Sequence, residues 1–205
     1  MGFAYPLAMP SSPAPTDIQF MPEVAAGESE SEFSFEDQQA DWGGRRWRLN
    51  LTYPSMLRPQ AEEWMAFFLM CEGPLGTFFW GPPNAYAARG NWGTPLVDGA
   101  SQTGNALNIK GLSNSDASAV KIGDWCQIGV NSNARLFKNV ANAASDGSGK
   151  AALSLWPAIV SAPADSAAIV TANPKGVFKL AGSNQGFKVN KLLHGFSLEI
   201  LSIPG

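Results

Sequence analysis

The sequence has only one histidine, two cysteines and few charged residues for its length of 205. The lone histidine, His194, leaves no histidine set for a metal centre, and beside Gly195 it is expected to be structural. Cys71 and Cys126 are far apart and lack CxxC spacing, so we expect two free thiols rather than a zinc site or a disulfide scaffold. No GxSxG, P-loop or HExxH motif is present, nor a strand followed by GxGxxG and a helix. We therefore expect no enzyme, no catalytic residue, no metal and no cofactor.

Long apolar runs and clustered positive charge are also missing. The longest strongly apolar run, residues 64–71, is far shorter than the ~20 residues that a membrane-spanning helix needs. Residues 1–15 lack the basic region and apolar core of a secretory signal. A net charge of -3 and a pI near 5.1 argue against a protein that mainly grips nucleic-acid phosphates. We expect a soluble protein or assembly without membrane insertion.

The glycines and prolines are plentiful and point to fold class. With 21 glycines and 15 prolines the sequence favours many short strands and turns, so it predicts a mainly β protein with one short helix. Residues 46–53 alternate between polar and apolar side chains, as a half-buried strand does. Pro59 and the stop signal Gly73-Pro74 predict a helix over 59–72, with Glu62 and Glu63 in its first turn.

Two further expectations concern the segments before the helix. Residues 30–36 are acidic, and we expect them to pair antiparallel with the arginine-bearing segment 45–53 through a glycine turn at 41–44. Residues 1–15 contain four prolines and form an arm that is either loose or laid on a neighbouring subunit.

The second half of the chain reads as short strands separated by turns. Residues 105–173 are expected to form an inserted small β-barrel module, OB-like in type, while residues 1–104 and 174–205 form a β-barrel-like domain with the helix. The final alternating strand must pair, and its expected partners are the strands that flank the helix. The expected strands of this half are 77–80, 106–112, 124–130, 135–140, 151–156, 167–172, 177–181, 187–189 and a last strand through 196–201.

Eight residues are the candidates for core packing or for a subunit interface. The helix carries apolar residues on too many faces for a free surface helix, so it is either sandwiched within one subunit or partly covered by another. The candidates are Trp47, Trp64, Phe67, Phe68, Phe78, Trp80, Arg46 and Arg48. Three loop aromatics, Trp42, Tyr86 and Trp92, are an alternative platform for stacking on sugars.

The order of these motifs resembles the N-terminal domain of distal tail proteins of long-tailed, siphovirus-type bacteriophages. RRWRLNLTYP, then EEWMAFFLMCEGPLG and TFFWGPP resemble the family's arginine-aromatic strand, helix and G-x-F-x-F strand. The segments GDWCQIG, RLFKNV and GKAALSLWPAI look like a small β module of tail-tip proteins. The ending FKLAGSNQGFKVNKLLHGFSLEIL looks like the returning strands of the first domain.

The resemblance implies a virion structural protein of the tail tip or baseplate, assembled in the host cytoplasm. It implies a hexameric ring, built through the first domain, that joins the tail tube protein to the hub protein, with tail fibres and the tape-measure protein as further partners and DNA only in transit. A long C-terminal carbohydrate-binding-like domain, found in larger members, has no counterpart here, so direct host adhesion is not implied. The alternatives are a tail-terminator or tube-like tail protein, a carbohydrate-binding module, or a hydrolase of cell-wall glycan.

Overall fold

The computed structural model describes residues 2–182, 188–189 and 194–204. The sequence also predicts a glycine-rich turn at 182–186, which falls outside these residues from position 183 onward. Phe187 of the predicted strand 187–189 falls outside them as well. The side chain of His194 is also outside the described part. Within this part the fold is mainly β with a single α-helix, as the composition predicts.

The strands fall into two six-stranded sheets and one short pair. The helix α1 spans Arg58–Cys71, and a single 3-10 turn covers Asn131–Asn133. The strands are β1 (Leu7–Ala8), β2 (Asp17–Glu30), β3 (Asp37–Thr52), β4 (Thr77–Trp80), β5 (Leu96–Val97), β6 (Gly104–Lys110), β7 (Trp125–Ile128), β8 (Arg135–Asn139), β9 (Ala151–Ile159), β10 (Ile169–Val170), β11 (Gly176–Leu180), β12 (Lys188–Val189), β13 (His194–Gly195) and β14 (Ser197–Ser202).

The first sheet takes its strands from both ends of the chain, in the order β1-β4-β11-β14-β3-β2. The last strand, β14, pairs antiparallel with β3, where Leu198 faces Leu51. On its other side β14 pairs with β11, and β11 pairs with β4, where Phe178 faces Phe78. The predicted return of the C-terminal strands to those that flank the helix is therefore confirmed.

The second sheet forms a nearly closed barrel in the order β10-β7-β8-β9-β6-β5. Its two edge strands meet through a bridge between Leu96 and Ala168, and the Val97 amide donates to the Ala167 carbonyl at 3.0 Å. Closure leaves few unpaired edge groups. The five strands predicted between residues 106 and 172 are present, and β5 at Leu96–Val97 precedes them as a sixth.

The helix begins and ends almost where its sequence signals place it. It starts at Arg58, one residue before Pro59, and ends at Cys71, after which Glu72 takes the left-handed conformation. The expectation that Glu62 and Glu63 lie in the first turn is wrong, because the earlier start shifts them into the second. Glu62 instead accepts a hydrogen bond from Arg58 Nε at 3.0 Å, one turn away.

The predicted pairing of residues 30–36 with 45–53 is wrong. β2 runs to Glu30 and pairs with β3 so that Phe20 faces Leu49 and Glu23 faces Arg46, while the connection lies at residues 31–36. The partly buried Ile18 and Phe20 of β2 favour this register, because a slip of one residue would turn both away from the core. Gly43 and its neighbours lie inside β3 beside a bulge between Val24 and Ala26, where Gly43 adopts a φ of 76°.

The proline-rich arm lies on its own chain, which corrects the expectation that it is loose or laid on a neighbour. β1 pairs parallel with β4 at Leu7 and Phe78. Trp64 Nε1 donates to the Ser12 carbonyl at 3.1 Å, and the Tyr5 hydroxyl donates to the Met70 carbonyl at 2.8 Å. The arm thus covers part of the helix that would otherwise be exposed.

Candidate assembly surface

The six candidate aromatics are all buried within the single chain. Trp64, Phe67 and Phe68 project from α1 into one core with Phe78 and Trp80 of β4 and Trp47 of β3. Their exposed fractions range from 0% to 7%. An interface formed by the folded chain must therefore use other side chains.

Trp47 belongs to an aromatic seam between the first sheet and the barrel. Its ring centroid lies 5.1 Å from that of Trp125 and 4.1 Å from that of Trp156, both on barrel strands. Phe20 of β2 completes the seam at 5.5 Å from Trp125. Trp47 Nε1 also donates to the Leu136 carbonyl at 3.2 Å, so the two sheets share a packed and hydrogen-bonded contact.

The two candidate arginines form an ion-pair ladder across three strands of the first sheet. Arg46 and Arg48 of β3 both bind Glu23 of β2, and Arg48 reaches Glu199 of β14 at 2.5 Å. The hydrogen bonds from Arg46 and then Arg48 lower the pKa of Glu23 to about 2. Every charge in the ladder has a partner, so the ladder joins the three strands and leaves no charge free for a ligand.

This ladder predicts a pH-dependent part of the stability. The pKa of Glu23 is lower in the folded chain than its ordinary value of 4.5, so its stabilisation is complete above pH 4.5 and is lost as the pH falls toward about 2. The difference in unfolding midpoint between the wild type and Glu23→Gln should therefore be largest at pH 6 and shrink toward pH 2–3. Urea unfolding at several pH values measures it, with the exposed Glu63→Gln as the control. A difference that is constant across this range would contradict the prediction.

Three exposed aromatic residues lie on a β-ribbon, which we define as residues 25–45 of β2, β3 and their turn. Nearly all of it is solvent-exposed, whereas the other half of β3 alternates between buried and half-buried residues and the other half of β2 is partly buried. Its turn carries Phe33 and Phe35, exposed by 98% and 77%, and its side carries Trp42, exposed by 72%. A two-stranded hairpin without a core is marginally stable in water, so a ribbon with aromatic side chains at its tip is suited to binding another chain.

The ribbon is also the most acidic part of the chain. Six of the 17 acidic residues lie in it, against one of the 14 lysines and arginines. That arginine, Arg45, pairs with Asp41 at 2.5 Å, and Asp41 accepts from the Gly43 amide at 2.8 Å. The remaining acids of the ribbon have no ion-pair partner among the described residues. The ribbon therefore favours a partner surface with positive charge.

Three leucines near the two ends of the helix are also exposed. Leu57, Leu69 and Leu75 are exposed by 61%, 76% and 77%. The helix is therefore neither fully sandwiched nor fully free: its inner face and the part under the arm are covered, and Leu69 is open. The open Leu69 is a second candidate contact for a neighbouring subunit.

The predicted sugar platform of Trp42, Tyr86 and Trp92 does not form. Trp92 is only 3% exposed, because its Nε1 donates to the buried carboxylate of Asp124 at 2.9 Å. Trp42 lies on the ribbon, where it covers the backbone of Gly27: a Cβ added there would come within 2.9 Å of the indole. Three coplanar stacking rings are therefore not available.

The described residues contain no cluster of His, Cys, Asp or Glu able to hold a metal ion. None of the helices in this part is long and apolar enough to cross a membrane. Comparison with known proteins finds no matching family model and no matching curated protein.

Proposed function

We propose that the chain is a structural subunit of a phage tail tip that forms a hexameric ring between the tail tube and the hub or fibre proteins, around a channel for DNA. The observation that carries the proposal is the exposed β-ribbon. A closed ring requires two different patches on each subunit, and a projecting ribbon with apolar side chains at its tip provides one of them. The hexamer and its place in the tail come from the motif resemblance.

The charge distribution supports the same proposal. A channel that DNA must pass through should not bind the phosphate backbone, and the ribbon is rich in carboxylates. The lysines and arginines of the first sheet are largely committed to ion pairs, as in the Glu23 ladder. An acidic ring subunit of this kind repels DNA rather than holding it.

Native mass spectrometry of the full chain tests the proposal, and hexamers are the expected species. A matched variant replaces residues 27–40 by an Asn-Gly turn, which joins Ala26 to the residue that it faces, Asp41. This variant should be monomeric with an unchanged unfolding midpoint, since the removed segment contributes nothing to either core. A wild-type chain that stays monomeric at every concentration would contradict the proposed ring. Hexamers that survive ribbon shortening would show that another surface builds them.

A further inference from the structure

The closed barrel has an apolar cavity of about 300 Å³ at one end, between β7, β8 and the segment after β9. Its walls include Ile128, Phe137 and Ile159 from the barrel interior, with Val130 and Pro163 at the rim. Val130 is 65% exposed, so the cavity opens to solvent. An open apolar cavity of this size favours a bulky apolar group such as an aromatic ring.

Of the described residues that line this cavity, Arg135 is the only one with a charge. Its Nε donates to the Pro204 carbonyl at 2.8 Å, and its Nη1 donates to the carbonyls of Ser132 and Ala134 at 2.8 and 3.1 Å. No carboxylate of the described residues forms an ion pair with it. Among the described residues this guanidinium is bound by neutral carbonyls alone, and a half-buried positive charge held in this way favours an anionic partner.

The tip of the ribbon has the complementary chemistry. Its sequence is Glu32-Phe33-Ser34-Phe35-Glu36, so two aromatic rings are flanked by carboxylates. The turn is fixed by hydrogen bonds from the Phe35 amide to the Ser31 carbonyl at 2.8 Å and from the Ser31 amide to the Glu36 carbonyl at 3.1 Å. Because the turn is already ordered, binding through it costs little conformational entropy.

The aromatic side chain at the end of the tip is exposed to solvent. Phe33 is 98% exposed and therefore packs against none of the residues that the structure describes. From the Glu23–Arg46 pair, the strand continues for seven residues to Glu30, a length of roughly 20 Å at the usual rise of a strand. A projection of this length is suited to reaching a neighbouring molecule.

We infer that the ribbon tip of one copy binds the barrel-end cavity of the next copy, with Phe33 in the cavity and the flanking carboxylates against Arg135. The inference rests on the proposed self-assembly. Charge favours a second copy as the occupant: the ribbon is strongly acidic, whereas the rest of the chain has 13 lysines and arginines against 11 acids. The contact joins two different patches, which is the kind of contact that generates a ring.

Photo-crosslinking maps this contact directly. A benzoylphenylalanine at position 33 of the full chain should give covalent dimers and larger species on irradiation, with the linkage at residues 128–137 or 159–167 of another copy. The same probe at the exposed Leu69 is the control and should not attach there. Linkage of the position-33 probe to any other region, or no linkage, would overturn the inference.

A mixing experiment tests both sides of the contact in solution. Phe33→Ala/Phe35→Ala removes the tip, and Val130→Arg blocks the cavity at an exposed rim position that should not disturb folding. Each variant alone should self-associate about tenfold or more weakly, as expected for loss of a central apolar anchor. An equimolar mixture of the two variants should give heterodimers. The intact tip of the Val130→Arg chain can bind the intact cavity of the Phe33→Ala/Phe35→Ala chain, and no other tip and cavity in the mixture are both intact.

The outcomes separate this inference from the proposed function. If both variants still form hexamers like the wild type, the tip and cavity are not the contact, and the ring is built elsewhere. If the wild type forms no oligomer and gives no crosslink, both proposals fail. Combining Glu32→Lys/Glu36→Lys with Arg135→Glu tests the charge pairing in particular. Self-association that recovers in this combination would support the pairing, and no recovery would limit the contact to its apolar part.

Discussion

Trp47→Ala is expected to lower the free energy of unfolding by about 3–5 kcal/mol, the usual cost of removing a buried tryptophan. Trp47 is 7% exposed and is packed between the first sheet and two tryptophans of the barrel, Trp125 and Trp156. The substitution removes this packing and also leaves the buried carbonyl of Leu136 without its indole donor. Both losses act at the contact that joins the two sheets.

Trp47→Phe separates the two contributions. Phenylalanine keeps an aromatic ring in the seam but has no donor for the Leu136 carbonyl, so it should cost about 1–3 kcal/mol. Urea unfolding followed by circular dichroism measures all variants. Trp42→Ala is the matched control, because Trp42 is 72% exposed and its loss should change monomer stability by no more than about 0.5 kcal/mol. Equal midpoints for Trp47→Ala and Trp42→Ala would contradict the role of the seam.

Local sequence patterns were sufficient for the elements whose structure depends on near neighbours. Residues 46–53 alternate with period two, and the odd positions from Trp47 onward are buried. The helix is marked by Pro59 and Gly73, and its observed ends differ by one residue from the expected ones. The barrel strands are separated by turn residues, so their existence could be predicted even though their order could not.

The hairpin shows where local reasoning failed. Matching opposite charges suggested that residues 30–36 face the arginines, but exposed ion pairs contribute only about 0–1 kcal/mol each. Burial of Ile18 and Phe20 against the core outweighs this, and it moves the turn to residues 31–36. The correct register therefore creates both the Glu23 ladder and the projecting ribbon.

The candidate assembly surface was not predictable from the motif-rich segment. The conspicuous aromatics Trp64, Phe67 and Phe78 are core residues, while the exposed Phe33 and Phe35 lie in an acidic segment that resembles a solvated strand. The sequence feature that could have indicated this surface is the pair of phenylalanines, Phe33 and Phe35, flanked by glutamates. The cavity at the barrel end had no signal, because strands β7 and β8 and the segment after β9 form it only once the barrel closes.

The buried carboxylate of Asp124 carries the other large effect: Asp124→Ala should lower the free energy of unfolding by about 3–5 kcal/mol, because it leaves several donors unpaired at about 1–3 kcal/mol for each buried one. Asp124 accepts from the amides of Arg89 and Gly90 at 2.9 and 3.0 Å, and from Trp92 Nε1 at 2.9 Å. Alanine would leave these donors without an acceptor, the Trp92 indole in the barrel core and the two amides in partly buried positions. Burial alone would raise the pKa of Asp124, but the hydrogen bonds from Trp92, Arg89 and Gly90 outweigh it and lower the pKa.

Asp124→Asn tests whether the acceptor pattern or the side-chain volume matters. Asparagine fills the same space but places an NH2 group where one carboxylate oxygen accepts, so donors would face donors, and a loss of about 1–3 kcal/mol is expected. Asp37→Ala, at an exposed position of β3, is the control and should change stability by no more than about 0.5 kcal/mol. Trp92 fluorescence should shift to longer wavelength in Asp124→Ala as the indole loses its anchor. Wild-type stability in both Asp124 variants would mean that the loop around Trp92 is held by packing alone.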